Sequence, residues 1–283
     1  MDEIQRFLFE ELDIRGALVR LDSSWTAIIK DRNYPPAVLA LLGELSAVTT
    51  IVAANLKTPG RITLQLKSEG PVSLLVVDCS EALNLRGYAK SESVITGQSA
   101  ADLLGGGTLL LSLDTEGVRQ PYQSHVPLSG ETIAAIFENY LVQSEQTPAA
   151  LILAADGEHA AGLFLQKLPD ADKLDEDGWN RVTQLARTVK RDELLGLEPL
   201  DVLKRLFSEE TIRVFEPRTV THDFPPDREK VGANLRALGR AELESILSEH
   251  GEVRVRDDLS NHEYVFDAAE IAALFDELTR SLH

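Results

Sequence analysis

The sequence predicts an α+β protein with a large N-terminal sheet-plus-helices domain, a helical linker and a small C-terminal α/β module. Three observations carry that prediction. Up to about residue 170, strand-like alternation and helix-like spacing of apolar residues are interleaved. From there to 217 the spacing is helical alone, and a short helix–strand–strand–helix pattern closes the chain. A length of 283 residues suits one large domain with a satellite, and a hydrophobic content of 43% supports a sizeable core.

In chain order, positions 36–56 carry Val38, Leu41, Leu42, Leu45, Val48, Val52 and Leu56 at helical spacing, and Pro36 suits the first turn. Ile62, Leu64 and Leu66 alternate with Thr63, Gln65 and Lys67, which reads as a half-buried strand. Strands are also expected at 72–77, 84–89, 109–113, 151–153 and 162–168, and a helix on Ile133, Ile136, Phe137, Tyr140 and Leu141. The acidic stretch 169–177 marks the boundary between residues 1–170 and a linker at 171–217. Trp179, Val182, Leu185, Ala186 and Val189 form one amphipathic stripe. Leu194, Leu195 and Leu197 follow, and then a helix opens at Pro199 with Leu203, Leu206 and Phe207. Helices this short are marginal alone, so they must pack on something else. In the module at 218–283, a helix around Leu243, Ile246 and Leu247 precedes strands at Val253–Val255 and 263–266. The last helix is capped by Asp267 with Glu270 and striped by Ile271, Leu274, Phe275 and Leu278.

A formal charge of −18 argues against nucleic-acid and anionic-membrane partners. The longest strongly apolar runs, such as 109–113, are too short to span a bilayer. The opening Met1-Asp2-Glu3 has no basic segment before an apolar run, so a cytoplasmic address is expected. Cys79 is the only cysteine, which rules out an internal disulfide and a cysteine zinc cluster within one chain. Gly105-Gly106-Gly107-Thr108 lacks the Lys-Ser/Thr of a phosphate loop, and the second histidine position after His262-Glu263 is Phe266. Cys79 as a nucleophile is one reading; a buried, inert thiol at a strand end is the other. No catalytic residue is expected.

Several blocks resemble the heat-shock protein 33 family of ATP-independent holdase chaperones along nearly the whole chain. They are Arg6-Phe7-Leu8-Phe9-Glu10, Ile14-Arg15-Gly16-Ala17-Leu18-Val19, Asn33-Tyr34-Pro35-Pro36, Leu56-Lys57 and Gln65-Leu66-Lys67-Ser68-Glu69-Gly70-Pro71. Leu85-Arg86-Gly87-Tyr88-Ala89 and Tyr140-Leu141-Val142-Gln143-Ser144-Glu145-Gln146 continue the series. The resemblance implies a C-terminal module in which a Cys-x-Cys and a later Cys-x-x-Cys hold one zinc. Oxidation there releases the metal, unfolds module and linker, and turns on client binding. Aligning Asp227-Arg228-Glu229 and His262-Glu263-Tyr264-Val265-Phe266 with that pattern puts the ligand positions at Phe224, Pro226, Asp257 and Ser260. None is cysteine, so no zinc and no cofactor is expected. His222, Asp223, Asp257, Asp258 and His262 are the nearby groups from which a substitute metal site would have to be made. Apolar repacking is expected instead, with Phe224, Val231 and Leu259 each returning about 1.5–3 kcal/mol on full burial.

The functional expectation is therefore a holdase for unfolded or partly folded client proteins, without a zinc/disulfide switch, constitutive or heat-activated. The resemblance adds a homodimer on activation. Leu194, Leu195, Leu203, Leu206 and Phe207 are the expected linker part of the client-binding surface, and simple packing onto the sheet is the alternative for each. A dedicated adaptor or scaffold with one specific partner is the second functional reading, and a Cys79 enzyme is the third.

Overall fold

The chain begins with a hairpin of β1 (Glu3–Phe9) and β2 (Ile14–Leu21), followed by α1 (Ser23–Ile29) and the long α2 (Pro36–Ala53). Next come β3 (Gly60–Ser68), β4 (Val72–Ser80), β5 (Leu85–Ser91), α3 (Ala100–Leu104), β6 (Gly107–Thr115) and β7 (Tyr122–Pro127). Then follow α4 (Ile133–Glu145), β8 (Ala149–Ala155) and β9 (Ala160–Lys167). The computed structural model describes residues 2–92, 95, 99–115, 117–118 and 120–281. Met1 lies outside the described residues, as do the side chains of Glu145 and of Leu278 in the expected C-terminal stripe.

Two antiparallel sheets share α2 as a common core. One has the order β5-β4-β3-β6-β7, and the other contains β1-β2-β9-β8 in that order. α2 packs against β2, β8 and β9 on one side and β3, β4 and β5 on the other. A helix apolar nearly all round belongs inside a core. Its buried hydroxyls are satisfied within the helix: Ser46, Thr49 and Thr50 donate to the carbonyls of Leu42, Leu45 and Ser46 at 2.7–2.9 Å. The sequence expectation that no segment is long and apolar enough to cross a membrane needs correcting here. Pro36–Ala53 meets that test by length and composition, with mean hydropathy 1.8, but 67% of it is buried inside the protein.

Past β9 the chain runs through α5 (Ala171–Leu174), α6 (Gly178–Arg187), α7 (Arg191–Gly196) and α8 (Pro199–Leu206). The short β10 (Ile212–Val214) and β11 (Arg218–Thr219) then both pair with β1. The linker helices belong to the first compact unit, which ends at His222 and not at 217. The reason is local: the Val220 N–H donates to the Asp2 carbonyl at 3.0 Å, and the Leu85 N–H donates to the Thr221 carbonyl at 2.8 Å. The second unit, Asp223–His283, contains α9 (Arg228–Leu238), α10 (Arg240–His250), β12 (Val253–Asp257), β13 (His262–Phe266) and α11 (Ala268–Ser281). The Asp267–Glu270 capping box forms, each residue's backbone N–H donating to the other's carboxylate at 3.0 and 2.8 Å.

Candidate functional site

β2 is buried on both faces, because α2 covers one side of its sheet and the linker helices cover the other. On the linker side the sheet presents Phe7, Phe9, Ile14, Leu18, Leu163 and Leu165. Against them pack Val182 and Ala186 of α6, Leu194 and Leu195 of α7, Val202, Leu203 and Leu206 of α8, and Phe207. All five expected linker residues are brought together there, between 1% and 7% exposed. Phe207 anchors the contact: its ring meets Phe9 edge-on at 5.0 Å, and Phe9 meets Phe7 at 5.7 Å. Phe7 requires Gly16 opposite it, since a methyl group there would overlap the Phe7 ring. The sequence reading missed Phe7 and Phe9; their two-residue spacing in β1 was the available signal.

Polar pins hold the same helices. Arg181 bridges Asp175 and Glu210 at 2.9 and 2.7 Å, Arg205 meets Glu193 at 2.6 Å, and Arg20 donates to the Leu197 carbonyl at 3.0 Å. Arg191 of α7 donates to the Ala155 carbonyl at 2.5 Å. Burial pushes the Glu44 carboxyl of α2 up to about 7, with the Arg191 charge pulling it back down.

Cys79 is fully buried in β4 beside Asp78, which Arg61 and Arg86 neutralise. Burial first, and then the Asp78 charge, push its thiol up to about 12. A thiol held so far from ionisation is no nucleophile at neutral pH.

In the second unit, Val231, Leu235, Leu243, Val253, Tyr264, Phe266 and Ile271 form the core. The segment before α9 is fastened to β13 by hydrogen bonds. The Asp227 N–H donates to the Tyr264 hydroxyl at 2.8 Å, and His262 Nε2 meets the Phe224 carbonyl. At the hairpin tip, Asp257 Oδ1 accepts the N–H groups of Leu259 and Ser260 at 3.0 and 3.4 Å. Of the three residues expected to repack, Val231 is buried, whereas Phe224 and Leu259 are only half-buried.

The family profile described as Hsp33 protein matches residues 2–267. A 33 kDa chaperonin of Chromobacterium violaceum is 42% identical over 277 residues, covering 97% of this chain and 94% of its own. The chain belongs to the Hsp33 family. A 33 kDa chaperonin of Nitrosococcus oceani is 40% identical over 280 residues, covering 99% and 96% of the two chains. The crystal structure of the 33 kDa chaperonin (heat shock protein 33 homolog) of Thermotoga maritima superposes with a TM-score of 0.84 at 23% identity. It covers 99% of this chain and all of that one, a likeness of fold.

Within this Hsp33 chain, the four positions aligned with zinc ligands do not fit the metal. Phe224 and Pro226 carry no donor, and the Asp257 carboxylate is occupied by the turn it caps. Ser260 adds one hydroxyl, far from the thiolate and imidazole set a structural zinc takes. Among the described residues, no three His, Cys, Asp or Glu side chains gather as a metal ion would need.

Proposed function

We propose that this chain is a holdase chaperone that binds unfolded proteins without nucleotide and without a zinc/disulfide switch. Its holding surface is the outer face of the β1–β2–β9–β8 sheet together with helices α6–α8, covered at rest and exposed when the helices lift. The observation that carries the proposal is the apolar seam itself. Leu194, Leu195, Leu203, Leu206 and Phe207 close over Phe7 and Phe9, an area that becomes a large apolar patch once uncovered. Membership of a family whose relatives are named chaperonins supports the same reading. In this reading the chain works by binding, and a Cys79 thiol kept neutral by burial speaks against the thiol-enzyme alternative.

The test is light scattering of chemically unfolded clients diluted into buffer with the full chain, excess reductant and no nucleotide, at two temperatures. Suppressed aggregation of several unrelated clients is the expected result. Failure with every client at both temperatures would overturn the proposal in favour of an adaptor with one folded partner.

A further inference from the structure

Arg6 and Arg15 lie on the sheet face turned toward α2. Across the first hairpin Arg6 is paired with Ala17 and Leu8 with Arg15, and opposite residues share a face, with diagonal neighbours about 7–8 Å apart. α2 stops at Ala53. Beyond its end a hollow of about 250 Å³ is lined by Arg6, Leu8, Arg15, Asn55, Leu168 and Phe215, among others, with no acidic side chain in its lining among the described residues. Arg15 is partnered: its Nε donates to Gln166 Oε1 at 2.7 Å, and its Nη2 converges on the same oxygen. The Arg6 Nε has no hydrogen-bond partner and is enclosed, so an incoming acceptor would meet the half-buried guanidinium from the side of the hollow that Arg6 lines. An arginine with one unmatched donor beside a second arginine makes this hollow a place that favours an anionic acceptor. Beside this hollow, sharing Arg15 and Asn55, lies a smaller apolar one walled by Val48, Ile51, Val52, Phe137, Leu141 and Phe164.

We propose that the two hollows form a binding site for an extended peptide segment in which an acidic residue adjoins an apolar one. The carboxylate accepts from Arg6, and the apolar side chain enters the hollow at Ile51 and Phe137. The larger hollow is below the usual size of a small-molecule pocket, about 300–1,000 Å³, and so takes a side chain and not a nucleotide. The chain's net charge of −18 repels acidic peptides at long range, so any preference for them arises at local cations. This inference deepens the chaperone reading and rests on it for the source of such segments, which are unfolded clients.

The experiment measures fluorescence anisotropy of a dye-labelled octapeptide with Glu-Leu at its centre against twins carrying Gln-Leu and Glu-Ser, on the full chain. The Glu-Leu peptide is expected to bind about tenfold more tightly than either twin. Arg6→Gln should erase the Glu-over-Gln preference while leaving the thermal melt in place, and Arg6→Lys should retain part of it. Equal binding of the Glu and Gln peptides to the unsubstituted chain overturns the site, whatever the variants do. Sodium butyrate competing as tightly as the peptide overturns the peptide assignment in favour of a free carboxylate. Aggregation suppression without a carboxylate preference removes this site and leaves the chaperone reading standing. A carboxylate preference without suppression does the reverse.

Discussion

The helices that cover the first sheet and the small C-terminal module are both assembled from short elements, yet different forces hold them. The covering helices bury a seam of leucines and three phenylalanines, reinforced by Arg181 and Arg205 ion pairs. The module has a smaller core and closes its first segment with hydrogen bonds at Tyr264 and His262, while Phe224 stays half-buried. A domain of this size rarely draws more than about 3–5 kcal/mol from its core. From the smaller core the module is expected to open at lower temperature than the helical cover, an order that hydrogen exchange would show.

The largest effect expected from breaking this comparison is at Phe207. Phe207→Ala should lower the stability of the first unit by about 3–5 kcal/mol in denaturant titrations. Phe224→Ala, at a half-buried position, should change stability by less than about 1 kcal/mol. Equal losses would erase the distinction between seam and module. Next in size is Tyr264→Phe, which leaves the Asp227 N–H without its acceptor and should destabilise the module by about 1–3 kcal/mol. Hydrogen exchange should show faster opening in α9 and β13, with α6–α8 unchanged.

A smaller effect tests the cover through pH. Glu44 is raised from 4.5 to about 7 by burial, so the folded state holds its proton more tightly than the unfolded state. Its contribution to stability is complete below about pH 4.5 and is lost as pH rises through about 7. Glu44→Gln should therefore melt close to the unsubstituted chain at pH 5 and above it at pH 8. A gap that is constant across pH would show that Glu44 ionises freely. Smallest of all, Cys79→Ala should leave client holding unchanged in light scattering, because the thiol never ionises near neutral pH.

Much of this architecture is legible in the sequence where one face of an element meets water. β3 shows its alternation because one side is solvated, and α6 and α8 show stripes because each buries one side only. β1 and β2 escape for the opposite reason: with α2 on one side and the linker helices on the other, β2 has no polar period to read. α9 is masked by Gly232 in its interior, a weak helix former that sits beside the Leu274 methyl group. The linker half of the proposed holding surface follows from helical spacing. Its sheet half, Phe7 and Phe9, and the pairing that sets Arg6 beside Arg15 depend on strand register, which no local pattern encodes.

The central claim, client holding freed from redox control, is tested most directly by comparing two preparations in one aggregation assay. One is treated with excess reductant and the other with peroxide, with a metal chelator present in both. Equal suppression in the two arms is the predicted result. Suppression that appears only after peroxide would contradict the account and return control to an oxidation-driven switch.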